Sequence, residues 1–191
     1  MTEAFDLVDE EHMSVKERKL LKWLRQSYTE ETLQNILLPI VTQTSPISLR
    51  ALDWSCVNWA KKNTVICASQ TPGELTNMYS AYRTTLQFWK RRLFDPFRRR
   101  GRIPVVIAGE TYETTLGQAN FALFAYRTGI LAYVLTHIDR IEQDMNAVVQ
   151  AQKKIVAAAK RSGVARKRKE LTSGESGVCV AYTAPRRVHV R

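Results

Sequence analysis

The fold depends most on residues 102–127, which read RIPVVIAGETYETTLGQANFALFAYR. The runs 102–107 and 111–115 are rich in β-branched residues and are separated by Ala108-Gly109-Glu110. This pattern predicts two strands joined by a tight turn. Two strands alone are only marginally stable, so we expect the hairpin to pack on a helix.

The helix that should receive the hairpin follows directly in the sequence. Thr115 and Gln118 have the spacing of a capping box, which predicts a helix from about Leu116 to Arg127. Gly129 should break this helix, because glycine is a poor helix former.

A heptad-like seam begins after this break. From Ile130 the apolar residues recur at alternating spacings of four and three, which predicts one long helix to about Lys160, capped by Gly163. The seam consists of Val134, Ile138, Ile141, Met145 and Val148. Such a seam faces either the chain's own core or another copy, so self-association through these five residues is one expectation.

Further helices are predicted before the hairpin. Two of them carry start signals: the capping-box pair Ser14 and Glu17, and the threonine-proline-glutamate pattern of Thr71-Pro72-Gly73-Glu74. Pro39 and the Asp95-Pro96 pair should each end a helix. The first predicted helix begins at Ser14, and the next three span residues 29–38, 48–63 and 71–92. Residues 64–68 are predicted to form a short strand or an extended link.

The positive charge of the chain is concentrated in two places. The formal net charge is +11, from 29 lysines and arginines against 18 acids. Residues 151–191 hold 11 basic and two acidic residues, and residues 90–102 hold seven basic and one acidic. The rest of the chain is therefore mildly acidic, and the two clusters are suited to an anionic partner.

Composition indicates one folded domain with charged termini. The chain has 191 residues and 45% hydrophobic residues, enough for one core. Its three cysteines have no paired spacing, which favours a reducing compartment, and no apolar run is long enough to span a membrane. We predict a mainly α fold: a helical domain (14–163) with one small β-hairpin, an acidic N-terminal arm (1–13), and a basic, extended C-terminal tail (164–191).

The first candidate site is an arginine cluster. It follows Phe94-Asp95-Pro96-Phe97, a tight turn whose aromatic residues could anchor it in the core. Guanidinium groups bind phosphate or carboxylate through a planar fork. The alternative is a solvated loop that only aids solubility. The cluster consists of Arg98, Arg99, Arg100 and Arg102.

The second candidate site lies in the basic tail. Such a run could bind phosphates, act as a nuclear-import signal, or dock across an acidic protein surface. A phosphate-binding tail would show strong salt dependence and little base specificity. The residues concerned are Arg166, Lys167, Arg168, Lys169, Arg186 and Arg187.

No enzyme site can be assembled from the residues. The three histidines are far apart in sequence, and Asp139 lies on a different helix face from His137. Neither zinc-type cysteine spacing nor a phosphate-binding glycine loop is present. We therefore expect no catalytic residue, no metal site and no cofactor; an enzyme would need His137 to converge with Asp139, Glu142 or a cysteine.

Three stretches resemble a family of small proteins of nucleocytoplasmic large DNA viruses, the giant viruses and their relatives. The resemblance covers roughly residues 45–170 and does not extend past Thr172. It implies a viral context, with a poorly defined function and no catalytic residues to carry over. The stretches are Ser48-Leu49-Arg50-Ala51-Leu52-Asp53-Trp54 running on to Asn58-Trp59-Ala60-Lys61-Lys62-Asn63, then Phe94-Asp95-Pro96-Phe97-Arg98-Arg99, and Thr114-Thr115-Leu116-Gly117-Gln118-Ala119-Asn120-Phe121.

Two functions follow from this context. The first is a non-enzymatic structural protein of the virus particle, a minor capsid or internal virion component that docks on other virion proteins through its basic clusters. The second is a nucleic-acid-binding protein, winged-helix-like or a basic-tail DNA binder, acting on the viral genome or its transcription. The expected location is the virion, with the reducing host cytoplasm during assembly and the nucleus as an alternative.

Overall fold

The computed structural model describes residues 3–99 and 101–161 of the chain, and the fold is mainly α, as predicted. The helices are α1 (Val15–Ser27), α2 (Glu30–Thr32), α3 (Leu38–Thr42), α4 (Leu49–Trp54), α5 (Ala60–Asn63), α6 (Met78–Leu93), α7 (Leu116–Arg127), α8 (Ile130–Thr136) and α9 (Ile138–Arg161). The strands are β1 (Ile66–Ala68), β2 (Leu75–Asn77), β3 (Arg102–Ile107) and β4 (Glu110–Thr115).

The predicted hairpin is present as the antiparallel pair β3 and β4. Its loop is the two-residue turn Ala108-Gly109, in which both residues have positive φ (52° and 79°), the signature of a tight hairpin turn. Glu110, predicted to lie in the loop, instead begins β4 opposite Ile107. Alternate residues of β3 are buried in a core shared with α1 and α7, so the hairpin packs on helices as expected.

Helix α7 is the central element of the fold. Every residue from Leu116 to Ala125 is buried, which is typical of a helix surrounded by other elements. One side contributes Ala122 and Leu123 to a core with the N-terminal segment, α1 and the hairpin. The other side contributes Phe121 and Phe124 to a second core with α4, α6, α8 and α9.

The prediction of a solvated N-terminal arm was wrong for its described residues. Phe5 is fully buried against Tyr28, with ring centroids 5.9 Å apart, and Ala4 and Val8 are also buried. The amide of Val106 in β3 donates to the carbonyl of Ala4 at 2.8 Å. The frequent acids make the segment polar on average, which is why its sequence suggested a solvated arm. The apolar residues between those acids are nevertheless the ones that are buried in the core.

Pro39 does not end the second predicted helix. A π-helical turn at Leu33–Leu37 joins α2 to α3, and Pro39 lies within α3. Proline has no amide hydrogen and so cannot donate the usual helical hydrogen bond. The π-helical turn just before Pro39 replaces the α-helical pattern of hydrogen bonds there, so the proline is tolerated within the helix. The helix ends instead at Gln43, which adopts a left-handed conformation with φ 61°. A second π-helical turn, Ser55–Trp59, joins α4 to α5 inside the helix predicted at 48–63.

The start of the long fourth helix was also predicted wrongly. Thr71 does not cap a helix; the carbonyl of Thr71 accepts a hydrogen bond from the amide of Glu74 at 3.1 Å, which closes a turn. Gly73 has φ +79°, as expected for glycine after proline in such a turn. The turn joins β1 to β2, an additional small hairpin, and α6 begins at Met78 with Asn77 as its cap.

The helix predicted from Ile130 onward is two helices. The break is at His137, whose φ and ψ (−120° and 15°) are not helical. Thr136 donates its hydroxyl to the Tyr133 carbonyl at 2.9 Å, and the His137 ring also hydrogen-bonds that carbonyl at 2.9 Å. These side chains compete with the backbone hydrogen bonds of the helix and favour the break.

Among the described residues, no helix combines the length and apolarity that crossing a bilayer requires.

Candidate functional site

The turn Phe94-Asp95-Pro96-Phe97 is held rigidly against the start of α7. The amide of Asp95 donates to the Gly117 carbonyl at 3.2 Å, and the Gln118 side-chain amide donates to the Pro96 carbonyl at 2.9 Å. The Asn120 side-chain amide donates to the Leu93 carbonyl at 2.7 Å. Gln118 and Asn120 are both buried, so these bonds form in an environment where leaving them unmade is costly.

Close packing explains the glycine at position 117. A Cβ atom there would lie 3.3 Å from the Arg92 carbonyl oxygen and 3.4 Å from the Asp95 amide nitrogen. The start of α7 and the turn therefore approach each other backbone to backbone. Phe94 is buried beneath them, as predicted, whereas Phe97 is only half-buried and lies beneath the guanidinium of Arg99 at 4.4 Å.

The predicted arginine cluster is partly neutralised by the chain itself. Arg99 lies 3.5 Å from the Asp95 carboxylate, and Arg102 lies 3.0 Å from the Glu113 carboxylate. Arg98 donates to the backbone carbonyl of Glu113 at 3.2 Å. The side chains of Arg99 and Arg102 remain 61% and 60% exposed, so further donors of each guanidinium face solvent. Arg100 lies outside the described residues.

Two more arginines, from the end of α6, extend this cluster. Arg92 lies 3.0 Å from Glu17 at the start of α1, and Arg91 lies 3.9 Å from Asp53 in α4. Arg92 and Arg102 line one cleft of about 530 Å³. We define the arginine face by its described members, Arg91, Arg92, Arg98, Arg99 and Arg102.

The carboxylates of the arginine face come from distant parts of the chain. Glu17, Asp53 and Glu113 are brought to it by α1, α4 and β4, and Asp95 belongs to the turn itself. Among the described residues of the face, five guanidinium groups lie beside four carboxylates, so most of the positive charge of these five arginines is compensated. The face is therefore built to present oriented guanidinium donors, which suits a shaped anionic partner better than a diffuse one.

Buried polar atoms without hydrogen-bond partners lie beside the arginine face, and the sequence offered no signal for them. Within the part of the chain that the structure describes, they include Tyr82 Oη, Asp53 Oδ1 and Asp95 Oδ1. Burial raises the pKa of the Asp53 carboxyl, an effect that Arg91 partly offsets. Burial likewise raises the pKa of Tyr82 to about 12.

Replacing Glu17 with glutamine should make stability less dependent on pH in mild acid. The Ser14 hydroxyl, followed by the Ser14 amide and Arg92, lowers the pKa of the Glu17 carboxyl below its usual 4.5. Because the folded state binds its proton less readily, the carboxylate contributes stability above about pH 4.5 and loses it as pH falls through the folded pKa. Because glutamine can keep the capping-box hydrogen bond, only the contribution of the charge is lost. Urea unfolding should show Glu17→Gln about 0.5 kcal/mol less stable at pH 7 and nearly equal to wild type at low pH. A deficit of the same size at both pH values would contradict this linkage.

The remaining predicted sites are placed as follows. Arg166, Lys167, Arg168, Lys169, Arg186 and Arg187 lie outside the described residues. In the heptad-like seam, Val134, Ile141 and Met145 are buried in the chain's own fold, and Ile138 packs against the same core. Of the two alternatives, the seam therefore faces the chain's own core over its first four residues; of its five residues only Val148, at 38%, is exposed.

Among the described residues weighed for catalysis, His137 and two cysteines are engaged in packing. His137 stacks on Tyr133, with ring centroids 4.1 Å apart, and hydrogen-bonds its carbonyl. Burial raises the pKa of the Cys56 thiol to about 12 and that of Cys67 to about 11, which keeps both in the unreactive thiol form. Over residues 3–99 and 101–161, no group of three or more histidines, cysteines and acids is arranged to hold a metal.

Comparisons with known proteins give a family and a viral relative. A family model described as "Family of unknown function (DUF7197)" matches residues 1–185. The "Uncharacterized protein L507" of Acanthamoeba polyphaga mimivirus is 30% identical over 125 residues, a match covering 61% of this chain and 48% of the mimivirus protein. The matched region thus spans about half the length of that relative. No solved structure matches the chain.

Proposed function

Since the chain belongs to this family of unknown function, we propose that it is a non-enzymatic virion protein that docks on another virion protein through its arginine face. The similarity to a giant-virus protein supports the viral setting. We place the protein in the virion, reached from the reducing host cytoplasm during assembly, with the nucleus as an alternative. Minor capsid or internal virion component is the role that fits a small protein with one prominent binding face.

The observation that carries this proposal is the rigidity of the face. Arg99 and Arg102 expose more than half of each side chain, yet the turn between them and α6 is fixed by buried hydrogen bonds to Gln118 and Asn120. A preorganised face loses little conformational freedom on binding, so more of the contact energy appears as affinity. A loop that served only solubility would not require such support.

The carboxylates within the face favour a protein partner over a nucleic acid. Non-specific binding to nucleic acid gains its free energy from releasing counterions along a dense row of phosphates, which rewards unpaired cations. Here the guanidinium groups are already partly compensated by Glu17, Asp95 and Glu113. Oriented but compensated arginines are suited to carboxylates set at defined positions on a folded partner.

The experiment compares particles carrying wild-type protein with particles carrying Arg99→Gln/Arg102→Gln. Purified virions are fractionated into shell and genome core, and the amount of the protein in each fraction is measured. We expect the wild-type protein in the shell fraction and at least about tenfold less of the variant there. The Arg102–Glu113 pair is exposed and contributes about 1 kcal/mol or less to folding. Asp95 is buried, so loss of Arg99 removes the ion-pair partner of a buried carboxylate and costs more. A circular dichroism spectrum equal to that of wild type is therefore required to show that the variant is folded. Arg50→Gln/Lys61→Gln removes two exposed cations elsewhere and should leave shell content unchanged. Absence of the wild-type protein from particles would refute the proposal.

The second candidate function is nucleic-acid binding by the late basic run. Its support is the sequence of residues 153–169, which holds eight basic residues and no acid. A winged-helix arrangement gains no support, because Ile103, Val105 and Ile107 of the hairpin are buried in the core rather than projecting as a wing. DNA affinity that falls steeply with salt and depends on residues 166–169 would favour this function, whereas no DNA binding at moderate salt would favour protein docking.

A further inference from the structure

The heptad-like seam of α9 continues beyond the point where the body of the protein covers it. Its spacing of four and three carries on from Met145 through Val148 and Gln152 to Ile155. Met145 is buried, but Ile155 is 62% exposed and its neighbour Val156 is 47% exposed. The same face of a single helix is therefore buried at Met145 and exposed at Ile155 and Val156.

The second half of α9 projects away from the body. Within the described part of the chain, the last side chain of α9 that hydrogen-bonds another helix is that of Asp144, which accepts from Trp54 at 2.9 Å and from Lys62 at 2.8 Å. All residues from 150 to 158 are exposed. The projecting segment, residues 148–161, is about 21 Å long at the rise of an α-helix.

The charge of the projecting segment is entirely positive. It carries Lys153, Lys154, Lys160 and Arg161 and no acid, whereas the packed half of α9 carries Asp139, Glu142 and Asp144. Exposed apolar residues interleaved with lysines are suited to an acidic groove with apolar residues at its edge.

The same protein has such a groove on its other half. A cleft of about 800 Å³ lies between the N-terminal segment, the α1–α2 junction and the β3–β4 turn. Its lining includes the exposed acids Glu3, Asp6 and Glu30 and no lysine, arginine or histidine. Asp6 is paired with Arg25 at 3.5 Å, so Glu3 and Glu30 supply most of the negative charge. Leu7, at 57% exposure, gives it an apolar edge. We call this cleft the acidic groove.

We propose that the projecting segment of one copy docks in the acidic groove of a second copy. The groove is built on the core of α1 and the β3–β4 hairpin, whereas α9 is packed on the other core, formed with α4 and α8. A continuous helix leaving one core cannot fold back to the opposite one, so the occupant is another molecule. The contact is head to tail: each copy offers its segment to one neighbour and its groove to another, so association extends into rings or open chains.

The experiment measures the mass of the purified full chain by sedimentation at near-physiological ionic strength. We expect the average mass to rise with concentration past that of a dimer. Lys153→Glu/Lys154→Glu should weaken association at least about tenfold, and so should Glu3→Lys/Glu30→Lys. The matched control Arg50→Glu/Lys61→Glu reverses two exposed charges elsewhere and should associate like wild type.

In the decisive experiment the two charge-reversed variants are first mixed. All four substitutions are then placed in one chain. Reversed segments should bind reversed grooves, so the four-substitution chain should regain most of the association that each pair of substitutions loses. A monomer at every concentration, an association that stops at a closed dimer, or a failure of the combined chain to regain association would each overturn the proposal. Circular dichroism spectra equal to wild type show that the variants are folded. Because purified protein is used without virions, the result is independent of the docking role of the arginine face.

Discussion

Gly129→Ala is expected to lower the free energy of unfolding by about 3 kcal/mol or more, as measured by urea unfolding at neutral pH. Gly129 joins α7 to α8 with φ +73°, a conformation that costs an L-residue about 1–2 kcal/mol. An added Cβ atom would also lie 1.9 Å from the Ala68 carbonyl oxygen and 2.8 Å from its carbon. The obstacle is backbone, so it cannot rotate away as a side chain could.

The hairpin above Gly129 would have to move for alanine to fit. Ala68 ends β1, and two residues later the Gln70 amide donates to the Arg127 carbonyl at 2.8 Å. Residues 68–70 are thus pinned over the corner between α7 and α8. Displacing them would break that bond and disturb the packing of Cys67 beneath, which adds the cost of overpacking to that of the backbone conformation.

Gly109→Ala separates the two costs. Gly109 also has positive φ, +79°, but nothing lies within 4 Å of a Cβ atom added there. The conformational cost alone should then apply, about 1–2 kcal/mol. If both variants lost equal stability, the close approach of Ala68 to Gly129 would contribute nothing to the free energy of unfolding. The corner between α7 and α8 would then have room for a Cβ atom.

Local signals were the part of the fold that sequence could predict. The capping box of Ser14 with Glu17 is present as predicted. At Thr115 the predicted helix start is also present, but only half of the capping box forms, because the Gln118 side chain bonds Pro96 and Thr114 instead. The signal at Thr71 misled because Pro72 and Gly73 also encode a turn, and pairing of β1 with β2 favours the turn. Whether such a signal starts a helix or a turn is decided by tertiary contacts that the local pattern does not contain.

The arginine face was predictable only in its cationic half. Consecutive arginines after an aromatic turn are visible in any sequence, but their partners Glu17 and Asp53 lie 75 and 38 positions before the arginines that they meet. No periodicity connects residues that far apart. The compensated character of the face, which favours a protein partner, therefore emerged only from the packing of α1 and α4 beside the end of α6.

Phe94→Ala is expected to lower the free energy of unfolding by about 3–5 kcal/mol, the usual range for removing a buried phenylalanine. Phe94 is 1% exposed, and its ring centroid lies 5.1 Å from those of both Phe121 and Phe124. Tyr82 packs on it at 5.8 Å. These residues belong to α6 and α7, so the cavity would open where the two helices meet.

Phe94→Ala should also make the turn that carries the arginine face more mobile. The buried ring would in this way affect the proposed docking surface. Without the ring beneath it, the turn keeps its hydrogen bonds to Gly117 and Gln118, and the adjoining Leu93 keeps its bond to Asn120, but the apolar support is lost. Hydrogen exchange at Asp95 and Arg99 should therefore quicken even where the variant remains folded. Phe88→Ala is the matched control: Phe88 is 63% exposed and contacts Lys16 and Trp89, so its loss should cost about 1 kcal/mol or less and leave exchange at the turn unchanged. Unchanged exchange at the turn in folded Phe94→Ala would show that the hydrogen bonds alone hold the arginines in place.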